Sequence, residues 1–300
     1  MTASTPAPFA ADRLAEAARR CGVPGASIAV FRDGVVHTAA FGVLDSDTRA
    51  PATPDTLFHV GSVTKPCVAT AIMVLVEQGG LELDAPVARY LPELKLAGAP
   101  VSRRMTVRQL LSHTSGIDGD FFVDTGAGDD CLAKYVERCG EIPLVCEPGA
   151  AYSYCNAGYS ILARIAERVT GTVWDALLRQ SLFAPLGITQ AFTLAADIAG
   201  RPAAVGHMEA DGQAKPIPYQ ALPRALGPAG FTLMTTPADL VKLGRLLLDR
   251  GMAASGRRLL SEKTVETMLA PAVALPDGAH WALGWKLERW NGELVVSHDG

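Results

Sequence analysis

Two β-rich runs joined by Asp33-Gly34 stand near the start of the chain, and two more joined by Asn291-Gly292 stand at its end, with a mostly helical pattern between them. Asp-Gly and Asn-Gly favour the positive φ that a two-residue hairpin turn requires, so 26–32 with 35–41 and 281–287 with 293–299 are expected to be antiparallel hairpins. Hairpins this far apart can share a sheet if the chain returns to it. The expected fold class is therefore α+β, with an antiparallel sheet built from both ends and an all-helical lobe inserted between. A single discontinuous domain is expected, with 1–58 and about 236–300 in the α/β lobe and about 59–235 in the helical lobe and cleft wall.

The helical boundaries are marked by capping chemistry. An amphipathic helix is expected from about Ala11 to Cys21. Another starts near Ser62, with Pro66 in its first turn, where a missing N–H costs little, and ends at Gly79-Gly80. A third runs from about Asn156 to Val169 and stops at Gly171. Thr172, with Asp175 three residues on, reads as the cap of the next helix. Thr236-Pro237 opens another, which ends before Gly251. The Pro- and Gly-rich segment 200–230 reads as a long surface excursion.

Composition narrows the function. Hydrophobic residues at 49% and charged residues at 19% describe a well-cored globular chain. A net charge of −4 without a long basic run offers no footprint for nucleic acid or an anionic membrane. The longest apolar run, Val68 to Val76, is too short to span a bilayer and reads as a buried helix. The N-terminal stretch has no apolar segment behind a basic start, so a cytoplasmic location with free thiols is expected. The six cysteines contain no Cys-x-x-Cys pair and no histidine at ligand spacing, so no metal is expected.

Three short motifs carry the chemistry: Ser62-Val63-Thr64-Lys65, Tyr154-Cys155-Asn156 and His298-Asp299-Gly300. Residues three apart share a helical face, so Lys65 can reach the Ser62 hydroxyl, and at a helix start the serine meets the positive end of the macrodipole. Burial of Lys65 beside the run from Val68 should lower its pKa and make it a base. Of the six tyrosines only Tyr154 has Asn two residues on. Its phenol, near an ammonium, should lose its proton more easily and relay the serine proton to the leaving group. Asn156 would hold the substrate carbonyl or Lys65, though it reads equally as a helix N-cap. His298 ends the last strand, and Gly300 would let a substrate come close to the strand edge; a turn after a strand is the plainer reading of the same residues.

These motifs, in this order, resemble those of the serine β-lactamase and penicillin-recognising superfamily, and most resemble its class C β-lactamase-like branch of esterases, D-aminopeptidases and D-alanyl-D-alanine carboxypeptidases. The resemblance covers about residues 22–300. It includes Phe58 to Lys65, Leu81 to Val87, Leu110 to Ile117, Tyr152 to Tyr159 and Gly227 to Leu240. It implies a β-lactamase/transpeptidase-like fold with the site between the lobes. It also implies Ser62 as nucleophile, Lys65 and Tyr154 sharing general-base work, Asn156, His298 and Gly300 as substrate-binding residues, and an acyl-enzyme hydrolysed by water without a metal or organic cofactor. The Ser62 N–H would be one oxyanion donor. His113 belongs to a structural block rather than a triad.

Two departures shape the expected substrate. His298 stands where many true β-lactamases carry lysine, and an unperturbed imidazole, with a pKa of about 6.5, is mostly neutral at pH 7. A substrate carboxylate is then held less firmly, which tilts the expectation from β-lactams toward esters or small amides; a D-amino-acid peptidase or carboxypeptidase, a true β-lactamase, a penicillin-binding-type sensor and an acyltransferase stay open. The family's second oxyanion donor would be residue 301, and its further strands and closing helix would follow Gly300. The domain is thus expected to continue, with a C-terminal segment or a second chain completing the sheet, and the 300-residue piece alone to be unstable or poorly active.

Overall fold

Both hairpins form where the turn residues place them. In the computed structural model, which describes residues 11–96, 104–217 and 222–300, β1 (Gly25–Arg32) pairs antiparallel with β2 (Val35–Gly42), with Arg32 opposite Val35. Asp33 and Gly34 both take positive φ, 52° and 82°, and the right-handed twist of the strands favours that turn. The residues before Ala11, and Pro218 of the Pro- and Gly-rich segment, lie outside the described residues.

Helices α1 (Ala11–Arg20), α2 (Thr64–Glu77), α3 (Val107–Leu111), α4 (Cys131–Arg138), α5 (Asn156–Thr170) and α6 (Trp174–Leu178) follow in order. A π turn (Arg179–Phe183) carries α6 into α7 (Ala184–Leu186), and α8 (Ala195–Ile198), α9 (Pro237–Leu248) and α10 (Glu262–Met268) complete the set. Strand β3 (Phe58–His59) and β4 (Ala191–Phe192) flank β7 (Met234–Thr235), while β5 (His207–Ala210) and β6 (Gln213–Pro216) form an outlying hairpin. The last sheet has the order β11-β10-β9-β8, from β8 (Val273–Ala274), β9 (His280–Trp281), β10 (Lys286–Trp290) and β11 (Glu293–Ser297). Among the described residues no helix is long and apolar enough to cross a membrane, and all six cysteines are free thiols.

Helix α2 is the centre of the core. Every residue from Thr64 to Leu75 is buried, because α5, α6, α10 and a 3₁₀ turn (Arg224–Ala229) surround it. A helix enclosed on all sides must be apolar all round, and the run from Val68 to Val76 meets that requirement. Helices α1 and α9 pack on the β1–β2 hairpin, and Thr236 caps α9 by accepting the Asp239 N–H, with Pro237 following as expected.

Four local expectations change. The two terminal hairpins do not pair with each other: among the described residues β1 has only β2 beside it and β11 only β10. The stretch 281–287 is two strands rather than one. A turn joins the Ala282 N–H to the Trp285 carbonyl at 2.8 Å, and Trp281 faces Lys286 across it. Gly284 makes the bend: its φ is 80°, and a Cβ there would lie 2.5 Å from the Ala69 Cβ on α2.

Thr172 does not cap α6. The cap residue is Val173, without a side-chain bond, and the Trp174 N–H instead donates to the Glu167 carboxylate at 2.9 Å. That carboxylate is buried and paired with Arg164 at 2.9 Å, so a tertiary acceptor replaces the local one. Finally, segment 200–230 is only half a surface excursion. The β5–β6 hairpin is outlying, but Ala225 to Ala229 are buried, and Ser160 on α5 donates to the Ala225 carbonyl at 2.7 Å.

Candidate active site

The nucleophile motif begins in a 3₁₀ turn, Gly61–Val63, that leads into α2. Ser62 therefore sits just ahead of the α-helix, and the Thr64 hydroxyl locks the turn by donating to the Gly61 carbonyl at 2.7 Å. The Ser62 N–H has no backbone acceptor among the described residues.

Lys65 is fully buried one turn on. Its Nζ lies 3.0 Å from Ser62 Oγ, 2.8 Å from Asn156 Oδ1 and 2.5 Å from the Ala229 carbonyl. Burial pulls the amine down to about 7, as desolvation of a cation requires, and the negative charge of Asp120 opposes it. Its three contacts have a consequence for the neutral amine. The Asn156 and Ala229 carbonyls can only accept, so they take its two N–H groups, and the lone pair is left facing the one contact that carries a proton, the Ser62 hydroxyl.

Asn156 is freed for this work because it is not the helix cap. Cys155 is, with its Sγ accepting the Gly158 N–H at 3.2 Å. The Asn156 amide cannot flip without losing both partners, since its Nδ2 donates to Asp120 at 3.2 Å while its Oδ1 accepts from Lys65.

Tyr154 faces the same cleft, but its expected acidity is not found. Burial raises the phenol, and a hydrogen bond to Ser62 only partly offsets that. Lys65 Nζ lies over the Tyr154 ring face, 4.7 Å from its centre, and does not outweigh the burial of the phenol. At neutral pH the phenol keeps its proton.

The third motif closes the other wall. A cleft of about 290 Å³ is lined by Ser62, Tyr154, Trp281, Lys286, His298, Asp299 and Gly300. Desolvation takes His298 down to about 4, so it is uncharged at pH 7, more firmly than an unperturbed imidazole would be. Its Nδ1 lies 2.6 Å from the Asp299 carbonyl, and the edge of its ring meets Trp281 at 5.3 Å. Lys286 does carry a charge, but Asp277 at 3.1 Å and Glu288 at 3.2 Å share it.

Gly300 has a packing reason besides the expected one. A Cβ there would lie 2.1 Å from the Val60 carbonyl oxygen and 2.9 Å from Val63 Cγ2. The glycine lets the end of the third motif seat against the nucleophile turn.

The structure thus brings Ser62, Lys65, Tyr154, Asn156, His298 and Gly300 into one place. It adds Asp120, the Ala229 carbonyl, Trp281 and Lys286, which sequence reasoning missed. A backbone carbonyl has no side-chain signature, and Asp120 reaches Asn156 from 36 residues away. Trp281 and Lys286 come together only because the turn at Gly284 folds β9 onto β10. Among the described residues no group of three His, Cys, Asp or Glu could hold a metal ion.

Comparison with known proteins shows the family. A family model described as Beta-lactamase matches residues 10–300. Penicillin-binding protein 4 of Amycolatopsis lactamdurans is 44% identical over 285 residues, covering 93% of this chain and 74% of its own length. Esterase EstB of Burkholderia gladioli is 33% identical over 219 residues, covering 67% of this chain and 54% of its own; the chain therefore spans only about half of that relative. The solved D-amino acid amidase from Ochrobactrum anthropi SV3 superposes with a TM-score of 0.77 at 25% identity, covering 96% of this chain and 82% of that one. With its mixed α/β architecture and a family match over almost its whole length, the chain belongs to the Beta-lactamase family, the serine β-lactamase-fold hydrolases.

Proposed function

We propose that this protein is a serine hydrolase that cleaves esters or small amides through an acyl-enzyme on Ser62. The observation that carries the reading is the Lys65 amine, lowered to about 7 and 3.0 Å from the Ser62 hydroxyl. Neutral Lys65 takes the Ser62 proton as Oγ attacks the substrate carbonyl carbon, and the Ser62 N–H donates to the oxyanion that forms. Collapse of the tetrahedral intermediate breaks the bond to the leaving group, which takes a proton from Tyr154, and the phenol is reprotonated from Lys65. Water then attacks the acyl-serine by the same steps in reverse order of roles, releasing the acid and restoring Ser62.

The uncharged His298 and the shared charge of Lys286 favour an acyl group without a free carboxylate, in keeping with EstB and the D-amino acid amidase as relatives. A second reading, acylation by β-lactams with slow release, is supported by the 44% identity to penicillin-binding protein 4. Intact-mass measurement separates the two. Mixing with p-nitrophenyl acetate should give a transient acetyl adduct mapping to Ser62 and absent from Ser62→Ala, clearing faster than any penicilloyl adduct. A persistent penicilloyl adduct with no acetyl turnover would support the second reading, and no adduct from either reagent on folded protein would sink both.

The base also sets a pH dependence. Lys65 works only when neutral, so kcat/KM should rise with pH through about 7 and then level off. Asp120 holds the ammonium form, so Asp120→Asn should move that limb to lower pH. A limb that stays put or moves upward in a pH–rate profile would remove Asp120 from the base's environment.

A further inference from the structure

His113 lies in none of the three motifs, yet one residue could hardly be tied more closely to the Tyr154 backbone. Its Nδ1 accepts the Cys155 N–H at 2.9 Å. Its carbonyl accepts the Ser153 N–H at 2.8 Å. These two bonds grip the chain immediately before and immediately after Tyr154. The His113 ring also packs on the Tyr154 ring, 4.3 Å between centres and tilted by 33°, and Trp281 backs it at 5.1 Å.

Presenting ring and carbonyl to the same segment requires an unusual backbone. His113 has a φ of 56° and is completely buried. Histidine, asparagine and aspartate are the non-glycine residues that tolerate this region best, so backbone shape and side-chain acceptor are both satisfied by very few residue types. The hydrogen bonds also set the tautomer: an Nδ1 that accepts from Cys155 leaves the ring proton on Nε2. Protonation would put N–H against N–H, and burial together with Lys65 keeps the imidazole neutral. With Nδ1 committed to a backbone amide, His113 is not available as a triad base.

We propose that His113 is the positioning residue that sets the Tyr154 phenol against Ser62, through the two hydrogen bonds that grip the backbone on either side of it. The inference rests on the serine-hydrolase reading, in which Tyr154 protonates the leaving group. Because the grip acts through Tyr154, its loss should show in the substrates that need that proton, which a general packing role would not predict.

The test compares an ethyl ester, whose alkoxide must be protonated to leave, with a p-nitrophenyl ester of the same acid, whose phenolate need not be. His113→Gly accepts the backbone angle but removes acceptor and ring. It should lower kcat/KM on the ethyl ester by about 10²-fold, at the lower end of what a positioned general acid contributes, and on the p-nitrophenyl ester far less, as Tyr154→Phe should. The double variant should be little worse than either single one, since both disable the same group. His113→Asn keeps an acceptor at the Nδ1 position and tolerates the angle, and should retain the wild-type ratio of the two esters.

Equal loss on both esters in folded His113→Gly, or additivity with Tyr154→Phe, would overturn the proposal. If the glycine variant does not fold, a His113→Asn variant with the leaving-group selectivity of Tyr154→Phe would overturn it instead. Ser62-dependent turnover that survives unchanged in His113→Gly removes this inference alone, whereas wild-type protein without turnover that Ser62→Ala abolishes removes the hydrolase reading with it.

Discussion

Replacing Lys65 with methionine should lower kcat/KM for ester cleavage by about 10³-fold, within the range that a positioned base contributes, and should abolish the rise of rate through pH 7. Methionine matches the length and apolar stem of lysine, so the space in α2 stays filled. What disappears is the lone pair that the Asn156 and Ala229 carbonyls aim at Ser62. Two opposing effects act on stability. The Asn156 Oδ1 and Ala229 carbonyl lose a donor, at about 1–3 kcal/mol for a buried acceptor left unpaired. Against that, the desolvation that lowers the amine to about 7 is relieved. The melting temperature should therefore move by only a few degrees, and the loss of rate would be chemical. A methionine variant that kept the wild-type pH limb, measured by kcat/KM between pH 5 and 9, would show that another group is the base.

Gly230→Ala should lower the rate as well, for a reason that involves no chemistry of its own. Gly230 follows the buried 3₁₀ turn that carries the Ala229 carbonyl, and its φ is 121°. A Cβ at 230 would stand 2.6 Å from the Gly61 carbonyl oxygen, 2.7 Å from its carbon and 2.9 Å from the Ser62 nitrogen. All three are backbone atoms, so no side chain can swing aside. Either the nucleophile turn or the Ala229 turn must move, and displacing a reacting group by about 1 Å costs on the order of 10²-fold in rate. The forced contact and unfavourable φ together should cost about 2–4 kcal/mol, visible as a clear drop in melting temperature. Wild-type activity and melting in this variant would mean that the two turns do not pack as closely as described. Gly300 seats on Val60 in the same manner, so glycines let two separate segments close around Ser62.

Much of the fold was legible because local chemistry decided it. Asp33-Gly34 and Asn291-Gly292 form turns because only such residues tolerate the backbone there, and Gly171 ends α5 in the left-handed region, with φ 69°. Thr236-Pro237 starts α9 through its own hydroxyl. Most of the expectations that changed were decided by distant partners. Thr172 lost the cap of α6 to Glu167 on the preceding helix, and segment 281–287 bent at Gly284 against α2, while Asn156 gave up the cap of α5 to its own neighbour Cys155. Half of segment 200–230 was drawn inward by Ala225, Leu226 and Ala229, apolar residues that a Pro- and Gly-rich composition had masked.

The same division runs through the site. Spacing alone put Lys65 within reach of Ser62, because residues three apart share a helical face, and the apolar run after it was enough to expect a buried, weakened amine. The ordered motifs, and the family they resemble, named Tyr154, Asn156, His298 and Gly300 as companions. The sequence by itself thus determined which groups are available and which neighbours on one helix meet. Tertiary structure decided their protonation and aim. Burial raised Tyr154 where proximity to an amine had suggested the opposite, and Asp120, Asn156 and the Ala229 carbonyl came from three separate segments to orient the amine. Desolvation and hydrogen-bond direction depend on every group around an atom, and those groups are assembled only when the chain has folded.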